Sequence, residues 1–258
     1  MATLITKTTK EYGLNRQPNL LTLLHLQVAS PQKGGAFFIW SKIMTNKHPN
    51  GCIAWEGKSL LDGTPIVLIL TCLERPSANA KTGQMVQSIV IRQDISPMDA
   101  VLQSKDDAVC GNCPLLRNTC YVDLRPFNTV WRVYKKGGYP RVTSAILERA
   151  RRRSRQLRIT AYGDPSAVPL KTWEYLLSYF PRSTGYSHQW RDLDASWSKF
   201  LMASCDRPED YLLARKEGWS TFRVINEGDE LFPEEIVCPN RKDDTVTSSY
   251  TNLSTGMV

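Results

Sequence analysis

Three cysteines, Cys110, Cys113 and Cys120, fall within the single stretch CGNCPLLRNTC. The C-x2-C pair lets two thiolates point at one ion while the backbone N–H groups between them turn toward the sulfurs. Cys120 brings back a third. A helix predicted just downstream sets its positive N-terminal end near the loop, which favours thiolate over thiol. Such a trio serves a structural zinc ion if a fourth Cys or His closes the tetrahedron, or a 4Fe-4S cluster that leaves one iron open to a small-molecule ligand. The remaining reading is three ordinary buried thiols. There is no second C-x2-C, so a two-knuckle zinc ribbon is not expected. The chain has seven cysteines, an odd number, and a disulfide framework is correspondingly less expected than metal ligands, reactive groups or buried apolar residues. Cys52 and Cys72 sit in apolar strand contexts and read as core.

These sulfurs need a frame, and the hydrophobic pattern implies one. FFIW, CIAW and PIVLILTCL are apolar and β-branched, with Asp62-Gly63 as a hairpin turn signal, and MVQSIVIRQD adds a further strand. Beyond the cysteines the period changes. Asn128 is a candidate cap for a helix through TVWRVYKK, and a second helix is predicted over about 143–156. LRITAY, TGYSHQW, FLMASC, TFRVI and EIVC then alternate as strands with helical LKTWEYLLSYF, LDASW and PEDYLLARKE. Asp206 with Glu209 resembles a capping box, and Gly218 closes that last helix. Helices between strands indicate βαβ units and a parallel sheet. The expected fold class is α/β: a parallel (β/α) partial barrel or open sheet, preceded by a small antiparallel β region. The expected division is a loosely attached leader over 1–34, a mostly antiparallel region over 35–105, an α/β metal-binding region over 106–240 and a polar, disordered tail over 241–258.

In such sheets the loops after the strand ends form the ligand site. Gly163 and Asp164 follow RITAY, His188 to Trp190 follow TGYS, Cys205 and Asp206 follow FLMAS and Cys238 follows EIV. A carboxylate, an imidazole and two thiols would share one rim. Cys205 and Cys238 are therefore the candidates for a fourth metal ligand. Asp164 either caps the segment after it or accepts hydrogen bonds from a ligand or an imidazole. His188, one of three histidines, is either structural or functional there. SANAKTGQMVQ is a polar loop entering a strand, without the spacing of a phosphate-binding P-loop.

The net charge of +8 would favour polyanions in general. Six arginines crowd LERARRRSRQLR, and Arg151, Arg152 and Arg153 could grip nucleic-acid phosphates. No aromatic residue interleaves with them as a stacking platform, and the competing reading is a solvated helix face. MATLITKTTKEYGLNRQ lacks the apolar segment of a signal peptide, and no stretch approaches the roughly eighteen apolar residues of a membrane span. A cytoplasmic, soluble protein is expected.

NAKTGQMVQ, CGNCP…CYV, GGYPR, AYGDP…VP…W, TGYSHQW, MASCD and GWSTFRV occur together and in this order in a family of uncharacterised, mainly phage-encoded proteins that this chain resembles over about 35–240. More distantly it is similar to phage proteins related to radical S-adenosylmethionine enzymes, which have partial (β/α) barrels and a cluster on three cysteines. The resemblance implies a viral protein in the host cytoplasm, with an iron–sulfur site at Cys110, Cys113 and Cys120. It also implies an S-adenosylmethionine-like ligand lined by Asp164 and His188. The C-x2-C-x6-C spacing differs from the C-x3-C-x2-C of most such enzymes, so cofactor cleavage is not part of the expectation. Family members carry further cysteines after the position of Cys238-Pro239, where this chain has RKDDTVTSSYTNLSTGMV. Zinc supporting a nucleic-acid-binding or host-interaction module is the alternative.

Overall fold

A computed structural model of the chain describes residues 49–79, 82–116, 120, 122–153, 155–225 and 229–237, together with the backbone of 247–251. The expected leader, the FFIW strand and Cys238 lie outside the described residues.

Strands β1 (Gly51–Lys58), β2 (Pro65–Thr71) and β3 (Val86–Arg92) pair antiparallel in sequence order. The turn before β2 is held by Asp62, which accepts hydrogen bonds from Thr64 N at 2.8 Å and Thr64 Oγ1 at 2.9 Å. Ile66 to Leu70 are all fully buried, which explains a continuous apolar run in place of alternation. The chain then crosses over through α1 (Pro97–Leu102), α2 (Asp107–Cys110), α3 (Arg125–Lys135) and α4 (Ser144–Arg152) to β4 (Leu157–Tyr162), parallel to β3. α5 (Leu170–Leu177) leads to β5 (Ser183–Thr184), which is parallel to β4. β6 (Tyr186–Ser187), β7 (Met202–Cys205), α6 (Pro208–Lys216) and β8 (Ser220–Ile225) follow, the strands again parallel. β9 (Ile236–Val237) and β10 (Thr247–Thr251), the latter inside the stretch expected to be a disordered tail, add an antiparallel edge.

β5 and β6 belong to different sheets yet are separated only by Gly185. A Cβ on Gly185 would lie 2.6 Å from Ile159 Cβ, so glycine is what allows the segment to press against β4 and pass from one sheet to the next. The parallel strands thus succeed one another in chain order without closing a barrel. This is the open α/β arrangement.

Local chemistry corrects two expectations and adds an irregularity to a third element. α3 begins at Arg125, with Pro126 in its first turn, and Asn128 Oδ1 instead accepts Met98 N at 3.0 Å, fastening α3 to α1. The capping box does not form: Arg207 occupies the N-cap of α6 without a side-chain bond, and Asp206 turns toward His188. β4 is not regular either. Thr160 has φ +52° and makes a bulge, with Ser88 Oγ accepting from Thr160 N at 2.8 Å and donating to Arg158 O at 3.0 Å.

Trp173 and Trp190 anchor the core, and their indole N–H groups donate to Pro165 O and Ser204 O at 2.9 and 3.1 Å. A buried ion pair, Arg223 with Glu235 at 2.6 Å, ties β8 to the segment before β9. Neighbouring Glu234 pairs with Arg215 while itself mostly exposed. Glu235→Ala strands the buried guanidinium and is expected to destabilise by about 3–5 kcal/mol, whereas Glu234→Ala changes stability by about 1 kcal/mol or less. Urea unfolding of the two variants measures the contrast, and equal losses would refute it.

Candidate functional site

The cysteine stretch starts as a helix end. Cys110 closes α2, and Gly111 then takes φ +61°, a left-handed turn that L side chains rarely adopt. A Cβ there would also sit 2.7 Å from the side chain of Gln189, whose Nε2 donates to Cys110 O at 3.2 Å. The turn between Cys110 and Cys113 is therefore packed against the strand-end residues that follow β6.

Burial pushes the Cys110 thiol well above its ordinary pKa, and the charges of Asp106, Cys113, Asp164 and Cys120 push it further. The other two thiols of the loop are thus close enough to be felt at Cys110. Cys113 is half-buried, with Sγ 3.4 Å from His188 Nδ1. Cys120 is exposed, and its neighbours 117–119 and 121 lie outside the described residues. Among the described residues no three His, Cys, Asp or Glu side chains form a ready cage for a single metal ion.

His188 joins the loop to the rim. Its Nε2 lies 3.0 Å from Ser204 Oγ and 3.7 Å from Asp206 Oδ1. Burial by itself lowers the imidazole pKa, but Asp206 and Cys113 outweigh it and raise the value to about 10. One ring nitrogen faces a sulfur and the other a hydroxyl and a carboxylate, so both are engaged and the ring ties the cysteine loop to the ends of β6 and β7. Soft thiols beside an imidazole suit an iron–sulfur cluster or zinc and not a hard cation.

Asp164 is buried and acts from inside. Its Oδ1 accepts from Ser166 N, Ser166 Oγ and Ser187 Oγ at 3.0, 2.7 and 2.8 Å. Its Oδ2 accepts from Ser187 Oγ and His188 N, both at 3.0 Å. Its own N–H donates to Val109 O at 2.6 Å. The capping alternative therefore describes Asp164 better than direct ligand contact, and the residue positions both His188 and the helix that ends in Cys110.

Cys205 is not brought to the loop. Successive strand residues face opposite sides, and Ser204 points at His188, so the next residue points into the core. Cys205 is fully buried, burial pushes its thiol up to about 12, and the charges it feels most strongly are Asp210 and Arg191. Cys52 is core as expected, while Cys72 is half-buried with φ +62°. Tyr162, the last residue of β4, was not anticipated. Its ring stacks on Phe127 at 5.4 Å, its hydroxyl is buried without a hydrogen-bond partner among the described residues, and burial and then Cys110 raise its pKa. Its place immediately before Gly163-Asp164 was the available signal.

The arginine cluster is largely spoken for. Arg153 bonds the carboxylate and carbonyl of Glu74, each at 2.7 Å, and Arg149 lies 3.7 Å from the same carboxylate. Buried Arg155 donates to Gln84 O and Glu74 O at 2.9 and 3.0 Å. Arg151 pairs with Glu148 on its own helix, and Arg152 is exposed. These contacts tether α4 to the loop between β2 and β3. None of the described helices is long and apolar enough to cross a membrane.

Replacing Asp164 by Asn turns an acceptor into a donor against hydroxyl and amide protons. Asp164→Asn is expected to lose about 1–3 kcal/mol for each donor left unmet, read by urea unfolding, with Asp192→Asn as a surface control. An unchanged midpoint for Asp164→Asn would refute the role given to this carboxylate. No known family model, no curated protein and no solved structure matches this chain.

Proposed function

We propose that this chain is an iron–sulfur protein whose cluster, of the 4Fe-4S type, is held by Cys110, Cys113 and Cys120 with His188 beside it. The observation that carries the reading is the meeting of Cys113 Sγ and His188 Nδ1 at 3.4 Å, across 75 positions of sequence, next to a half-buried third donor, Cys110. Asp106 and Asp164 bear on Cys110 and Asp206 bears on His188, and a cationic cluster core balances such an acidic set. The same surroundings keep Cys110 a neutral thiol until a metal takes the proton's place. A partial (β/α) barrel, similar to that of radical S-adenosylmethionine enzymes, is supported by the chain-order succession of β3, β4, β5, β7 and β8. The rim at Asp164 and His188 would then face a small adenosylmethionine-like ligand, with Asp164 acting through Ser187 and His188. Tethered Arg149, Arg153 and Arg155 support the nucleic-acid alternative less well.

Protein purified without oxygen is expected to be coloured and to contain iron and acid-labile sulfide in equal amounts. Cys110→Ser, Cys113→Ser or Cys120→Ser should each lose most of both, while Cys205→Ser, altered on the far side of β7, should keep them. Colourless protein with one zinc ion per chain would replace iron by zinc in this reading, and metal-free protein that folds normally would overturn it.

A further inference from the structure

A cavity of about 450 Å³ lies against β3 and β4, within the range of small-molecule sites. Its walls come from stretches distant in sequence. The polar loop entering β3 contributes Asn79 and Thr82, β3 contributes Gln87 and Ile89, and Tyr139 faces them from the turn after α3. Phe127 and Val130 of α3 form the apolar side.

Arg158 also lines this cavity, and its surroundings set it apart. Arg92, Arg191 and Arg223 each have a carboxylate partner, Asp94, Asp210 and Glu235 respectively, and both terminal nitrogens of Arg155 donate to carbonyls, its Nε alone lacking a partner among the described residues. Half-buried Arg158 has no carboxylate within ion-pair distance among the described residues, and its one side-chain hydrogen bond is a 3.5 Å contact with Gln87 Oε1. A guanidinium held out of bulk water without a counterion attracts an anion from solution. The lining carries a second mark. Cys72, which also lines the cavity, has φ +62°, and a non-glycine residue keeps that uncommon conformation only where its surroundings impose it.

We infer that this cavity is a binding site for a small organic carboxylate. The acid group sits on Arg158 and Gln87, and an apolar, preferably aromatic, body lies among Ile89, Phe127, Val130 and Tyr139. A planar monoanion matches one guanidinium in charge and in bidentate shape, whereas a phosphate dianion would call for more cations than the described residues of this wall offer. The site is independent of the cluster reading, because no loop cysteine lines it.

Isothermal titration of the full chain with benzoate, 3-phenylpropionate and indole-3-acetate tests the inference, with benzamide and phenyl phosphate as the contrasting probes. At least one carboxylate is expected to bind saturably, and benzamide about tenfold or more weaker than benzoate. Arg158→Gln should weaken the carboxylate by a similar factor, Arg158→Lys by less, and Val130→Trp should block the cavity with the arginine intact. Binding that survives in Cys110→Ser separates this site from the metal centre. Equal binding of acid and amide, tighter binding of phenyl phosphate, an unaffected Arg158→Gln, or no binding by any carboxylate would each overturn it.

Discussion

The buried carboxylate of Asp164 is the contact on which the rest of the site depends. Through its oxygens it fixes Ser187 and the backbone of His188 at the end of β6, and through its N–H it fixes Val109, one residue before Cys110. Two strand ends and one helix end are thereby set against each other by one residue, through its side chain and its backbone together. Such a group is tolerated out of water because five donor contacts surround it. The placement of the imidazole beside Cys113 follows from that anchoring and not from the cysteine loop itself.

Charge is distributed in two different ways over the molecule. Around Cys110 the charges that bear on the thiol, those of Asp106 and Asp164 among them, hold it protonated. Around Glu74 the arginines gather on a carboxylate and on backbone carbonyls, and much of their charge is used in holding α4 to its neighbour. The net positive charge is therefore a poor guide to what the cysteine loop attracts.

The sheet was legible because its strands are short apolar runs separated by strong turn and helix signals: Ile66–Leu70, the Asp62-Gly63 turn and the Thr143 cap of α4 each act locally. The misjudged details were decided by partners far along the chain. Asn128 looked like a cap but bonds Met98, and Asp206 looked like a cap but faces His188. The C-x2-C spacing put Cys110 and Cys113 in one tight turn, yet nothing local in Cys205 revealed which side of β7 it faces. That was settled by Ser204, whose orientation depends on His188. The carboxylate cavity left no sequence signal of its own, since its walls are assembled from the loop before β3, the turn after α3 and the start of β4.

The bulge at Thr160 has a consequence for how β4 works. Strict alternation would send Arg158 and Ala161, three positions apart, to opposite sides of the sheet, yet both border the same cavity. One left-handed residue puts the second half of the strand out of phase with the first. β4 can thus present a cation and a small apolar wall to one neighbour while its final residues run on to Tyr162 and Asp164, beside the cysteine loop. The left-handed conformation held at a single β-branched threonine is what lets one strand border the cavity and still end against α2.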